Sequence, residues 1–217
     1  MMPVTYDAFA ARFANAAVAC FAAFAVGLAV MHVLRPDYAP SAHMISDYAV
    51  GPWGSVMTTA FASMGLGCLM LGLALVTSHT KSVAAWLAAV MFVIASAGSV
   101  VTATFPTDLP GAPSTTSGDI HAMSFYVNVA CLVLAAATLA VIASHDSRWR
   151  AYRRGCAVYA LLLALALVLQ LKTLHRGMPF GLANRLFVVI MICWLLFITI
   201  RLRQITLPSR PLRGDDT

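Results

Sequence analysis

The chain has no glutamate. All eight acids are aspartates, and charged residues make up only 10% of the 217 positions. A soluble domain ordinarily carries about 25% charged residues, so a normal water-facing surface is excluded. Cysteine is scarce and unpatterned. Cys20, Cys68, Cys131, Cys156 and Cys193 lie in or beside apolar runs without CxxC spacing, which excludes a disulfide framework or zinc knuckle and leaves them as small buried residues. Spans two to five (bounds below) have no acid or base near mid-membrane, where an ion or proton pathway usually leaves one. The paired Gly-interrupted segments of inverted-repeat transporters are missing too. No repeat or linker marks a second domain.

What is present is apolar: 61% hydrophobic residues and a mean hydropathy of +0.84. A soluble core cannot hide this much apolar surface, so lipid is the expected solvent. Six runs, at about 13–34, 53–77, 82–104, 120–143, 154–172 and 182–202, are long enough to cross about 30 Å of hydrocarbon. They lack alternation, which favours helices over a barrel. The expected fold is all-α, a single six-helix transmembrane bundle with a basic, disordered tail at 203–217. The first run is too long for a signal-peptide core and is expected to be retained; Ala39-Pro40-Ser41-Ala42 is the competing cleavage site.

The net charge of +6 raises the question of nucleic acid, but the bases cluster at span ends and in the tail, as loop orientation requires. One set of ends holds Arg12, Lys81, Arg148, Arg150, Arg153, Arg154, Arg201, Arg203, Arg210 and Arg213; the other holds Arg35, Lys172, Arg176 and Arg185. The richer side is expected in the cytoplasm with both termini. Loops 35–52, 105–119 and 173–181 then face out, and loop 78–81 makes spans two and three a hairpin.

Those outward loops hold the chemistry. His43 and Asp47 are four residues apart and share a face on a short helix, with Ser46 beside Asp47; the plain role of Ser46 or Asp47 is a helix cap. Asp108 follows the helix-stopping Pro106, where a turn role is the plain alternative. Asp119 has capping-box spacing from Thr116. His121 lies one step deeper, where a helix N-terminus disfavours protonation and leaves a ring able to bind metal or take a proton. His175, Arg176 and Arg185 suit an anionic headgroup or anchor a helix end, and Tyr48 completes the group. His32 either joins the site or covers a neighbouring helix.

The joint pattern His43-x-x-Ser46-Asp47-Tyr48-x-x-Gly51-x-x-Gly54, Phe105-Pro106-x-Asp108, Thr115/Thr116-x-x-Gly118-x-x-His121 and Gly181-x-x-x-Arg185 resembles the polytopic bacterial membrane family catalogued as domain of unknown function 998. The resemblance covers almost the whole chain. It implies six helices in a bacterial cytoplasmic membrane and one constellation of His43, Ser46, Asp47, Asp108, His121 and Arg185, which the count of basic residues places facing the periplasm or exterior. It brings no reaction. A more distant likeness to the Frag1-type lipid-remodelling proteins has no residue-by-residue match.

Two functions are expected from these residues. In the first, an intramembrane hydrolase or transferase acts on a membrane lipid or lipid-linked substrate, with zinc on His43, His121 and Asp108 activating water. In a variant of it, Ser46 attacks with a histidine base and Asp47 or Asp108 as orienter. Zinc is preferred because Ser46 lacks a GxSxG context. The second is a membrane binding, transport or assembly protein whose pocket holds a small ligand or lipid headgroup unchanged. A transmembrane haem protein is disfavoured, since only His79 and His145 lie at the other ends of the spans.

Overall fold

In a computed structural model, residues 5–78, 82–174 and 178–206 are described. Six helices run through them: α1 (Thr5–Leu34), α2 (Gly54–Thr77), α3 (Val83–Thr104), α4 (Thr116–His145), α5 (Arg153–Thr173) and α6 (Phe180–Thr206). There is no strand among the described residues. All six are long and apolar enough to cross a membrane. Their outward faces carry Val, Leu and Ile that stay exposed in the isolated chain, including Val158, Leu161 and Leu165 on α5. Lipid is the solvent that such faces require.

α1 packs on α2, α2 on α3 and α3 on α4 in chain order, and α6 returns to lie against α1. α5 bridges α4 and α6. Small residues set the close approaches. A Cβ at Gly65 would press on Ser96 and Ser99 of α3, and one at Gly67 would enter the Phe21 ring of α1. The core between helices is filled by Phe21, Phe24, Phe92, Leu71, Phe187 and Trp194.

The connections differ at the two ends. Between α4 and α5 a short 3-10 helix (Ser147–Tyr152) turns the chain with Trp149 fully buried. Asp146 accepts from the Arg148 backbone N–H and pairs with its guanidinium, which holds the Asp146 carboxyl below its usual range. At the opposite end α1 leads into a second 3-10 helix (Ile45–Ala49). The chain then turns through Gly51 at φ 80° and Trp53 at φ 62° to begin α2. The tail beyond 206, loop residues 79–81 and the 175–177 segment lie outside the described residues, so the expected tail disorder and the placement of His79, Lys81, His175 and Arg176 do too.

Candidate functional site

The sequence motifs meet at the end of the bundle that carries the 45–49 turn, and Arg185 of α6 organises one half of it. Its Nε donates to His32 Nε2 at 2.9 Å, Nη1 to the carbonyls of Pro40 (2.8 Å), His43 (2.6 Å) and Gly181 (3.1 Å), and Nη2 to the Tyr48 hydroxyl at 3.1 Å. His32 can accept because its Nδ1 donates to Leu28 O at 2.8 Å, which fixes the tautomer. Gly181 has no room for a Cβ beside the Pro40 and His43 carbonyls, and its N–H donates to Ser41 O at 3.0 Å. One arginine and one glycine thus fasten loop 35–52 to α6.

The loop is tied a second time by rings and charges. Arg35 pairs with Asp37, donates to Val50 O and lies 3.8 Å over the Tyr38 ring. Tyr38 stacks on His43 at 4.2 Å between centroids. His43 Nδ1 donates to Asp47 Oδ2 at 3.0 Å, and the same oxygen accepts from Met44 N at 3.1 Å. Asp47 is only 3% exposed, and burial raises its pKa, opposed by His43, the Met44 N–H and the Arg185 charge.

Asp108 belongs to a separate device. Its carboxylate accepts from Thr115 N and Thr115 Oγ1, both at 2.8 Å. Thr115 is the N-cap of α4 and accepts from Gly118 N at 3.1 Å. A Cβ at Gly118 would collide with the Asp108 carboxylate, so glycine is what lets the acid sit over this helix start. Asp119, expected as the cap, instead accepts from Ser114. His121 is 4% exposed, and its Nδ1 donates to Phe105 O at 2.8 Å, tying α4 to the end of α3.

Between α1, α2, α3, α4 and α6 lies a cavity of about 170 Å³. Its walls are mostly apolar: Phe24, Phe61, Met64, Phe125, Phe187 and Met191. Ser46, Thr107, His121 and Asn184 line it at the 45–49 end. Asn184 is 2% exposed and its Oδ1 accepts from Ile45 N at 3.1 Å. A polar seam descends the α3/α4 wall. Thr102 Oγ1 meets Ser124 Oγ at 2.8 Å. Asn128, with its amide oriented to satisfy both partners, donates to Ala95 O at 3.1 Å and accepts from Ser99 N at 3.3 Å. Gly98 gives Asn128 this access. From His121 to Leu132 on α4, both lining residues, the cavity descends roughly 16 Å at 1.5 Å per residue, about one leaflet of the hydrocarbon core.

A family model described as "Protein of unknown function (DUF998)" matches residues 17–201. The chain belongs to this family. No curated protein and no solved structure matches it.

The structure divides the constellation that this family's pattern implied. Of the expected site residues, Ser46 and His121 share the cavity. His43, Asp47, Tyr48 and Arg185 form the loop clamp, and Asp108 caps α4. The zinc set of His43, His121 and Asp108 is not assembled: no three His, Cys, Asp or Glu side chains gather as an ion site among the described residues. Within that set, the Asp108 carboxylate is engaged at the start of α4, His43 Nδ1 with Asp47 and His121 Nδ1 with Phe105 O. Asn184 and Asn128 were not legible as site residues, because uncharged amides inside apolar runs resemble packing. Gln170 on α5 was missed as well; it is fully buried and neither amide atom has a partner among the described residues.

Proposed function

We propose that this multi-pass membrane protein binds the apolar chain of an amphipathic molecule in its interhelical cavity, with the polar end of that molecule at Ser46, Thr107, His121 and Asn184. The observation that carries the reading is the cavity's polarity gradient: aromatic and methionine walls below, and a few convergent polar groups at one end. Ligand sites characteristically have this make-up. A depth of about one leaflet suits an acyl chain. With the orientation expected from the basic residues, the polar end lies at the outer leaflet, so membrane lipid or a lipid-linked molecule is the ligand class. The binding reading leads over zinc hydrolysis because the polar groups lining the cavity are hydroxyl, imidazole and amide, without a carboxylate.

Mass action supplies the test. A ligand that binds only the folded state stabilises it by RT ln(1 + [L]/Kd). Delipidated protein titrated with a long-chain phospholipid should show a saturable rise in unfolding temperature. Val188→Trp, which fills the cavity from α6, should abolish the saturable part. An unchanged titration in that variant contradicts the proposal.

A further inference from the structure

We infer that Ser46 is a nucleophile with His121 as its base, and that this pair transfers a long-chain acyl group from a carboxylic ester held in the cavity. The inference rests on the acyl-chain reading of the cavity and adds a reaction to it. It follows from subtracting every hydrogen-bonding duty from the polar residues at this end of the bundle.

In the 43–48 run, His43, Asp47 and Tyr48 are engaged with one another, with Met44 N or with Arg185. Ser46 alone among the polar side chains of this run makes no hydrogen bond among the described residues, and it lines the cavity. His121 donates through Nδ1 to Phe105 O. That bond fixes the tautomer and leaves Nε2 as a lone-pair acceptor on a ring lining the same cavity. Asn184 uses its Oδ1 on Ile45 N, which orients the amide and leaves its Nδ2–H donors for the cavity it lines. The functions these three residues leave over are a hydroxyl, a base and a neutral N–H donor; Tyr126, on α4 five residues after His121, also lines the cavity, its hydroxyl without a hydrogen bond among the described residues. Those three are the kinds of group that acyl transfer requires: nucleophile, base with a fixed ring, and a donor for the oxyanion. Ser46 Oγ is not hydrogen-bonded to His121 Nε2 here, so the proton transfer requires the Ser46 hydroxyl to turn toward that ring across the cavity both line. The Phe105 carbonyl holds the orienting place that a carboxylate takes in many triads.

In the step proposed, Ser46 Oγ bonds to the ester carbonyl carbon while its proton passes to His121 Nε2. The carbonyl oxygen, now negative, accepts from Asn184 Nδ2. Collapse breaks the bond to the alcohol oxygen, which leaves with the proton held on His121. The acyl group remains as an ester on Ser46. A water or a second lipid hydroxyl then gives its proton to Nε2 and attacks that ester; as the acyl–Oγ bond breaks, the proton passes from Nε2 to Ser46 Oγ, and the acid or new ester leaves.

The test uses the full chain in nanodiscs and a long-chain alkyl fluorophosphonate, with adducts located by peptide mass spectrometry. The proposal expects one adduct, on Ser46, absent in Ser46→Ala. In His121→Asn the new amide can still donate to Phe105 O but cannot act as a base, and labelling should slow about 100-fold or more. Labelling of His121→Asn at the wild-type rate overturns the assignment of the base. Absence of any Ser46 adduct, in protein that phospholipid still stabilises, overturns the nucleophile and leaves the binding reading standing. If the phospholipid titration also fails, the binding reading falls with it.

Discussion

Arg185 holds its charge near the start of α6 without a carboxylate in contact: among the described residues its partners are an imidazole, a phenol and three carbonyls. A planar fork of donors can serve five acceptors arranged around it, whereas an ammonium cannot span them. Arg185→Lys should therefore cost about 2–3 kcal/mol, read as a lower unfolding temperature; a neutral result removes the clamp. Gln170 makes the opposite prediction. An amide buried without a partner costs about 1–3 kcal/mol, so Gln170→Met should raise stability by a similar amount, and destabilisation would mean that the amide has a partner. Asp47 gives a pH dependence. Its raised pKa means the folded protein keeps a proton that the unfolded chain has released, so this group's contribution to stability falls as pH rises from the ordinary carboxylate range through the raised value. Asp47→Asn should flatten that slope. Parallel stability curves for wild type and variant as pH rises from about 4 would contradict it.

At the scale of elements, the start of α4 shows how a cap escapes a local reading. Spacing pointed to Asp119, within the helix's first turn. The structure uses Thr115 as the cap, with Asp108 over it from across the proline-rich loop. A seven-residue reach through a loop has no periodic signature, so composition could not reveal it. Gly118→Ala should displace Asp108 and cost about 1–3 kcal/mol, checked by thermal unfolding; full tolerance would show that the acid has room to move. The helices themselves were legible because lipid demands long uninterrupted apolar runs. Their ends were less so. α1 begins by Thr5 and α4 runs from Thr116 to His145, beyond the apolar core of each run, because hydropathy marks the hydrocarbon thickness while a helix continues through the interface.

For the whole molecule, the gathering of polar residues at one end was visible in the sequence, but its division was not. Which way a side chain faces on a five-residue 3-10 helix decides that Ser46 lines the cavity while Asp47 turns to His43, just before the helix, and serves the clamp. The orientation expected in the membrane rests on the basic residues alone. A membrane-impermeant maleimide applied from outside should label Ala112→Cys and spare Ser147→Cys; the reverse would invert the bundle. The cavity's occupant is the central claim, and crosslinking reads it directly. Wild-type protein in nanodiscs containing a phospholipid with a photoreactive acyl terminus should yield, after irradiation, adducts on Phe125, Phe187 and Met191 inside the cavity, lost in Val188→Trp. Adducts confined to lipid-facing residues such as Val158, Leu161 and Leu165 would show that no acyl chain enters.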